Sequence, residues 1–302
     1  MKTLVECVPN ISEGRDHAKI ERVVEAVRQT PGAVLLDVDP DADHHRTVIT
    51  FVGEPAAVEA AVLRLVERAV ELIDLTKHQG EHPRMGAVDV IPFVPLKNVT
   101  VAECVEMARR VGQAIWERFR VPVYFYEEAA TRPERRDLAN IRKGQFENYP
   151  KKIQEPDWAP DVGERVVHPT AGVTAVGVRP PLIAFNVNLG TSNLEIAKKI
   201  AKAVRGSDGG LRYVKALGLA LEGRGLTQVS MNLTNFEKTP IYQAYELVKR
   251  EAQRWGVPVV GSEIVGLVPQ AALLQVAEYF LQLEDFKVHQ VLENRLAEKL
   301  GE

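Results

Sequence analysis

Apolar residues recur along this chain at two spacings, every second residue and about every 3.6 residues, and the order in which these alternate most tightly constrains the fold. Residues 5–8 form a short strand-like run, and from Asp16 the residues Ile20, Val23, Val24 and Val27 repeat at helical spacing until Pro31-Gly32 ends the pattern. Residues 33–38 and 47–52 read as strands. Pro55 opens a long helix with Val58, Val62, Leu65, Ala69 and Leu72 on one face, and residues 88–94 read as a further strand. The order strand, helix, strand, strand, helix, strand is the split βαβ arrangement of ferredoxin-like domains. After a helix over 101–119 and a strand over 123–126, the same order returns: strand 182–189, helix 193–204, strands 212–219 and 226–234, helix 241–255 and strand 257–260. The repeat is one of topology and not of letters. An α+β fold is therefore expected, with two such subdomains, residues 1–178 and 179–302, joined around 127–181, where repeated X-Pro pairs favour extended chain. A last amphipathic helix over 270–281 and a charged tail are expected to cover a sheet edge or serve an oligomer contact.

The 302 residues suffice for two domains at roughly 150 residues each. Apolar residues make up 45% and charged residues 26%, which excludes a disordered or collagen-like chain. Lysine plus arginine, 38, against aspartate plus glutamate, 41, leaves a net charge of −3 with no basic block, so neither nucleic acid nor an anionic membrane is an expected partner. The two cysteines, Cys7 and Cys104, allow no disulfide framework, and no apolar run reaches the length of a signal-peptide core or a membrane span. A cytoplasmic protein that meets small molecules is expected.

Three stretches could carry chemistry. His78-Gln79-Gly80-Glu81-His82-Pro83-Arg84 packs two histidines, a glutamate and an arginine between a helix and a strand, and Gly80 and Pro83 rule out the helical zinc spacing of H-E-x-x-H. A histidine here can serve as a general acid or base near neutral pH, or can simply be a loop residue with a structural hydrogen bond. The run from Asp37 to Arg46 has alternating aspartates, but Ala42 and Val48 stand where a calcium loop needs glycine and glutamate, so no metal site is assigned. Asp39, at a strand end, is placed to orient a neighbouring histidine. In the second half Asn186 and Asn188 alternate with Ile183, Phe185, Val187 and Leu189, and Gln228, Ser230 and Asn232 with Val229, Met231 and Leu233, so one face of two adjacent central strands offers uncharged hydrogen-bonding groups. That face suits a polar heterocycle, or is a hydrated surface. The basic-aromatic run over 142–152 could add cations for a small anion.

Specific strings narrow the choice. Leu4-Val5-Glu6-Cys7-Val8-Pro9-Asn10 with Ser12-Glu13-Gly14, Asp37-Val38-Asp39, Arg46-Thr47-Val48, Gly80-Glu81-His82-Pro83-Arg84-Met85-Gly86-Ala87, Asp157-Trp158-Ala159-Pro160-Asp161 and Phe185-Asn186-Val187-Asn188-Leu189 resemble the glutamate formimidoyltransferases. The resemblance covers nearly the whole chain. It implies transfer of a formimidoyl group from N-formimidoyl-L-glutamate to N5 of tetrahydrofolate, the co-substrate, in histidine degradation, with folate held in a passage between two ferredoxin-like subdomains whose sheets face it. By the same resemblance His82 is the catalytic acid/base, and the folate-binding loop maps onto Gly163, Glu164, Arg165, Val166, Val167, His168, Pro169, Thr170, Ala171 and Gly172. A homodimer is implied, and a separate cyclodeaminase for the following step.

The chemistry is consistent with these residues. N5 attacks the amidine carbon, and one group takes a proton from N5 and returns one to the departing glutamate nitrogen, a task for a single histidine. Asp39 is the candidate to hold that imidazole, and Glu6 a further substrate-side candidate. Both substrates are carboxylates, so Arg46, Arg84 and Arg179 are candidate clamps; no catalytic part is assigned to His44 or His45. The alternatives are formyl transfer from N-formylglutamate, a metal-dependent formimidoyl- or formylglutamate hydrolase using Asp39, His44, His45 and His82, and a non-catalytic folate-binding module.

Overall fold

The computed structural model describes residues 3–42, 44–80 and 83–300. The chain divides into two compact units, residues 1–180 and 181–302.

The first unit is built on one sheet. Its strands are β1 (Leu4–Cys7), β2 (Asn10–Ile11), β3 (Ala33–Asp41), β4 (Arg46–Gly53), β5 (Val88–Lys97), β6 (Val123–Glu127) and β7 (Thr174–Val178). The spatial order is β3, β4, then β1 and β2 in one lane, then β5, β7 and β6. Pairing is antiparallel from β3 to β5 and parallel from β5 through β7 to β6. One face carries α1 (His17–Arg28), α2 (Pro55–Leu72) and α3 (Val101–Phe119). Each helix has a local reason to start where it does. The Asp16 carboxylate accepts from the N–H groups of Ala18 and Lys19, Pro55 occupies the first turn of α2, and Thr100 with Glu103 forms a capping box on α3. Their apolar stripes bury Val23, Val24, Val62, Leu65, Met107 and Val111 against Cys7, Phe51, Ile91 and Phe93 in one core. A second, smaller core lies on the opposite face, where α4 (Leu138–Arg142) and α5 (Gln145–Lys152) bring Ile141 and Tyr149 onto Val90, Tyr124, Tyr126 and Ala175.

Two readings of the sequence change here. The stretch 127–181 is not a simple joint: its residues 174–178 form β7, which enters the first sheet between β5 and β6, and the rest folds over the sheet as α4 and α5. The acidic run after residue 38 is not a loop, because β3 continues to Asp41 through the pairs Asp39 with Val48 and Asp41 with Arg46.

The second unit holds β8 (Ile183–Leu189), β9 (Val214–Leu221), β10 (Leu226–Leu233) and β11 (Val259–Val265), ordered β11, β8, β10, β9 and antiparallel throughout. Its helices α6 (Leu194–Val204), α7 (Ile241–Arg254) and α8 (Gln270–Leu281) close a core of their own around Val187, Leu189, Ile200, Val229, Met231 and Val248. The tail is not merely charged chain, since α9 (Leu292–Leu300) forms within it. Among the described residues no helix is long and apolar enough to cross a membrane.

Candidate functional site

Strand alternation divides the polar residues of the first sheet from its core. Val5 and Cys7 face the helices, so Glu6 faces the other way; Val38 and Ile49 likewise leave Asp39 and Arg46 on the opposite face. Arg46 is half-buried there among Arg142, Asp89, Asp41 and Asp39, and the loss of solvation around its guanidinium brings the pKa down to about 10, still a cation at neutral pH. Asp89 is buried at 2% exposure, and its carboxylate accepts from the Met85 N–H at 2.7 Å and from Arg142 at 2.6 Å. Further along the same face Glu6 lies opposite Arg179: burial raises the Glu6 carboxyl and the guanidinium opposes that rise. Burial also pushes the Tyr126 hydroxyl well above its ordinary value, a rise that the Arg179 guanidinium opposes. Arg46, Arg142 and Arg179 thus line one sheet face with carboxylates between them, an arrangement suited to a small molecule carrying both carboxylate and amidine-type groups.

Behind this face the motif strings meet. Ser12 Oγ donates to Gly86 O at 2.7 Å, and Gly14 lies so close to the backbone of Asp41 and Arg46 that a Cβ would fall 2.1 Å from Asp41 O. A Cβ on Gly86 would fall 2.1 Å from Val173 O, and one on Gly172, whose φ is +71°, 2.1 Å from Met85 O. These glycines are what allow four backbone segments to touch. Burial raises the Glu13 carboxyl, but the N–H groups of Asp16 and Arg15 and the His45 ring outweigh it and bring the pKa down to about 2.

Glu81 and His82, on which the catalytic assignment falls, lie outside the described residues. Their flanks do not. Arg84, offered as a substrate clamp, is 7% exposed, and all five of its N–H donors are engaged inside the unit: on His78 Nδ1 and O, on Gln145, and twice on Glu147. The cations of the 142–152 run are also turned inward in part, Arg142 to Asp89 and Lys152 Nζ to the carbonyls of Asn140, Ile141 and Lys143. In the loop from Gly163, a φ of +106° and contact with the Trp116 ring set the entry, while Glu164, Arg165 and Val166 are exposed. His168 closes the other end, its Nδ1 accepting from the Ala171 N–H at 2.9 Å. Burial lowers the His168 pKa, in keeping with a neutral ring.

In the second unit Asn186 and Asn188 are buried at 8% and 5% beside Gln228 at 3%. Gln228 Nε2 donates to Asn188 Oδ1 and to Glu263 Oε1, both at 2.9 Å, and Asn186 Nδ2 to the same Glu263 oxygen at 3.0 Å. The amide face read from the sequence therefore gains an acid, Glu263, from β11. Sequence reasoning missed this residue and the Asp89–Arg142 pair, although an aspartate inside the apolar run Val88-Asp89-Val90-Ile91 was a signal for the latter. Among the described residues no group of three His, Cys, Asp or Glu could hold a metal ion.

Residues 4–179 match the model of the formiminotransferase domain, N-terminal subdomain, and residues 184–299 that of the formiminotransferase domain. The chain is 55% identical over 297 residues to the glutamate formimidoyltransferase of Streptococcus pyogenes serotype M1, covering 98% of this chain and 99% of that one. It is 50% identical over 296 residues to the glutamate formimidoyltransferase of Thermoplasma acidophilum, covering 97% of each. The formimidoyltransferase-cyclodeaminase of Gallus gallus is 48% identical over 290 residues, which span 94% of this chain and 53% of that longer one. Two domain models that together span nearly the whole length, and relatives of matching length, place the chain in the formiminotransferase family.

Proposed function

We propose that this chain is a glutamate formimidoyltransferase, which moves the formimidoyl group of N-formimidoyl-L-glutamate to N5 of tetrahydrofolate and releases L-glutamate. N5 attacks the amidine carbon, the N5–C bond forms, and the bond from that carbon to the glutamate nitrogen breaks. His82 takes the proton from N5 and returns one to the leaving nitrogen. Asp39 orients and charge-stabilises the imidazole, and Arg46 and Arg179 hold substrate carboxylates, with Glu6 beside Arg179. Arg84 braces its own segment in this scheme, since its donors are already engaged. Residues of the loop from Gly163 to Gly172 hold folate.

The observation that carries the reading is a backbone seam. The Leu75 N–H donates to Thr170 O, the Ala87 N–H to Ala171 O and the Val173 N–H to Met85 O, each at 2.9 Å. The end of the loop assigned to folate is thus tied to both flanks of the segment that carries His82. The strand order of each unit, with the two outer strands of every βαβ element separated by another, supports a split βαβ fold for both. A homodimer, a cytoplasmic setting and a separate cyclodeaminase belong to the same reading. His82→Ala is expected to lower turnover by roughly two to four orders of magnitude with little change in folate affinity. Unchanged turnover in a steady-state assay of released glutamate would remove His82 from the mechanism.

A further inference from the structure

A cluster of polar contacts in the first unit joins His45, His78 and Gly80, and the functional reading does not use it. His45 sits in a turn with φ +51°, its side chain 13% exposed. Its Nε2–H donates to Glu13 Oε1 at 2.9 Å and its Nδ1–H to Gln79 O at 2.8 Å. Both partners are acceptors, so the ring is pinned from both of its nitrogens. His78 stacks on it, the ring centroids 4.1 Å apart and the planes 11° from parallel. Here the pattern is the opposite: Arg84 Nε–H donates to His78 Nδ1 at 3.1 Å, so the ring proton is on Nε2, which donates to His45 O at 2.8 Å. A Cβ on Gly80 would lie 2.6 Å from His45 Cβ and 2.7 Å from His44 O, so the turn and the segment are in backbone contact. Arg84 completes the bracket by its two bonds to Glu147 on α5.

We propose that the stacked His45 and His78 are positioning residues for transfer: the two rings, with their bonds to Glu13, Gln79 O, His45 O and Arg84, lock the chain up to Gly80, as Arg84 locks the chain after it. The inference rests on the assignment of His82 as the acid/base. Neither ring touches the reacting atoms in this scheme. Their effect is on the course of the chain through Gln79 and Gly80, and a displacement of about 1 Å at a catalytic group can cost on the order of 100-fold in rate.

The test compares His78→Ala, His78→Gln, His45→Asn, His82→Ala and the double variant His78→Ala/His82→Ala. Turnover and KM for both substrates are measured per folded protein, alongside thermal midpoints. His78→Ala is expected to lower kcat roughly 10- to 100-fold with KM changed less than about threefold. Gln at position 78 keeps an acceptor for Arg84 and a donor for His45 O, so it should recover most of that loss. Asn at position 45 tolerates the positive φ and lowers kcat in the same way, which keeps the test alive if His78→Ala fails to fold. The double variant should be no slower than His82→Ala alone, because the stack acts through that residue. If His82→Ala is inactive while the His78 and His45 variants keep wild-type kcat, the positioning role is overturned. The same follows if the two losses multiply in the double variant. Wild-type turnover in His82→Ala instead overturns the assignment of His82, and the positioning role with it.

Discussion

At the scale of single residues, Glu13 shows how a buried carboxylate is kept ionised. Its oxygen accepts the Arg15 N–H at 3.0 Å, the Asp16 N–H at 3.1 Å and the His45 ring at 2.9 Å, and together these outweigh the cost of burial. The folded-state pKa of about 2 is below the ordinary value of 4.5. Stability from this group is therefore present in full above about pH 4.5 and is lost as the pH falls towards 2. Glu13→Gln should be less stable than wild type at pH 7 by at most ~3 kcal/mol, and the difference should shrink steadily below pH 4.5 in urea denaturation series. A difference independent of pH would show that the charge is not what Glu13 contributes. The string Ser12-Glu13-Gly14 was legible in the sequence as a family signature, but its physical reason was not. That reason lies in contacts with residues far along the chain: Gly86, His45, Asp41 and Arg46.

At the scale of elements, helices were the most legible part. The spacing of Val58, Val62, Leu65 and Ala69 after Pro55, and of the apolar residues between Thr100 and Arg120, locates α2 and α3 because the starting proline of α2, the capping box of α3 and the apolar periodicity agree. Strand β7 was not legible. Its sequence, Thr174-Ala175-Val176-Gly177-Val178, is short, buried on both faces and carries no alternation, so it cannot be distinguished from apolar loop until its parallel partners β5 and β6 are known. The joint that seats β7 depends on Gly86, where any side chain would meet Val173 O and Val88 O. Gly86→Ala should destabilise the protein by about 3 kcal/mol or more. Gly223→Ala, where an added Cβ meets nothing within 4 Å, should leave stability within about 0.5 kcal/mol of wild type. Equal denaturation midpoints for the two variants would mean that the 86–173 contact is not tight in solution.

At the scale of the whole molecule, each unit has its own sheet and its own apolar core, and the charged residues proposed for transfer come from the first while an amide face comes from the second. The mixture of strands and helices that the apolar periods announce is present in both units as an α+β fold, whereas the polar partners, Asp89 with Arg142 and Glu263 with Gln228, emerge only when the strands are assembled. The central claim is that a folate-dependent acid/base transfer takes place here with histidine as the proton carrier. The direct measurement is release of L-glutamate from N-formimidoyl-L-glutamate by purified protein, with and without tetrahydrofolate and with and without a chelator. The account predicts release that requires tetrahydrofolate, is matched by one-carbon product on folate, and is unchanged by the chelator. Release without folate, or release abolished by the chelator, would contradict it.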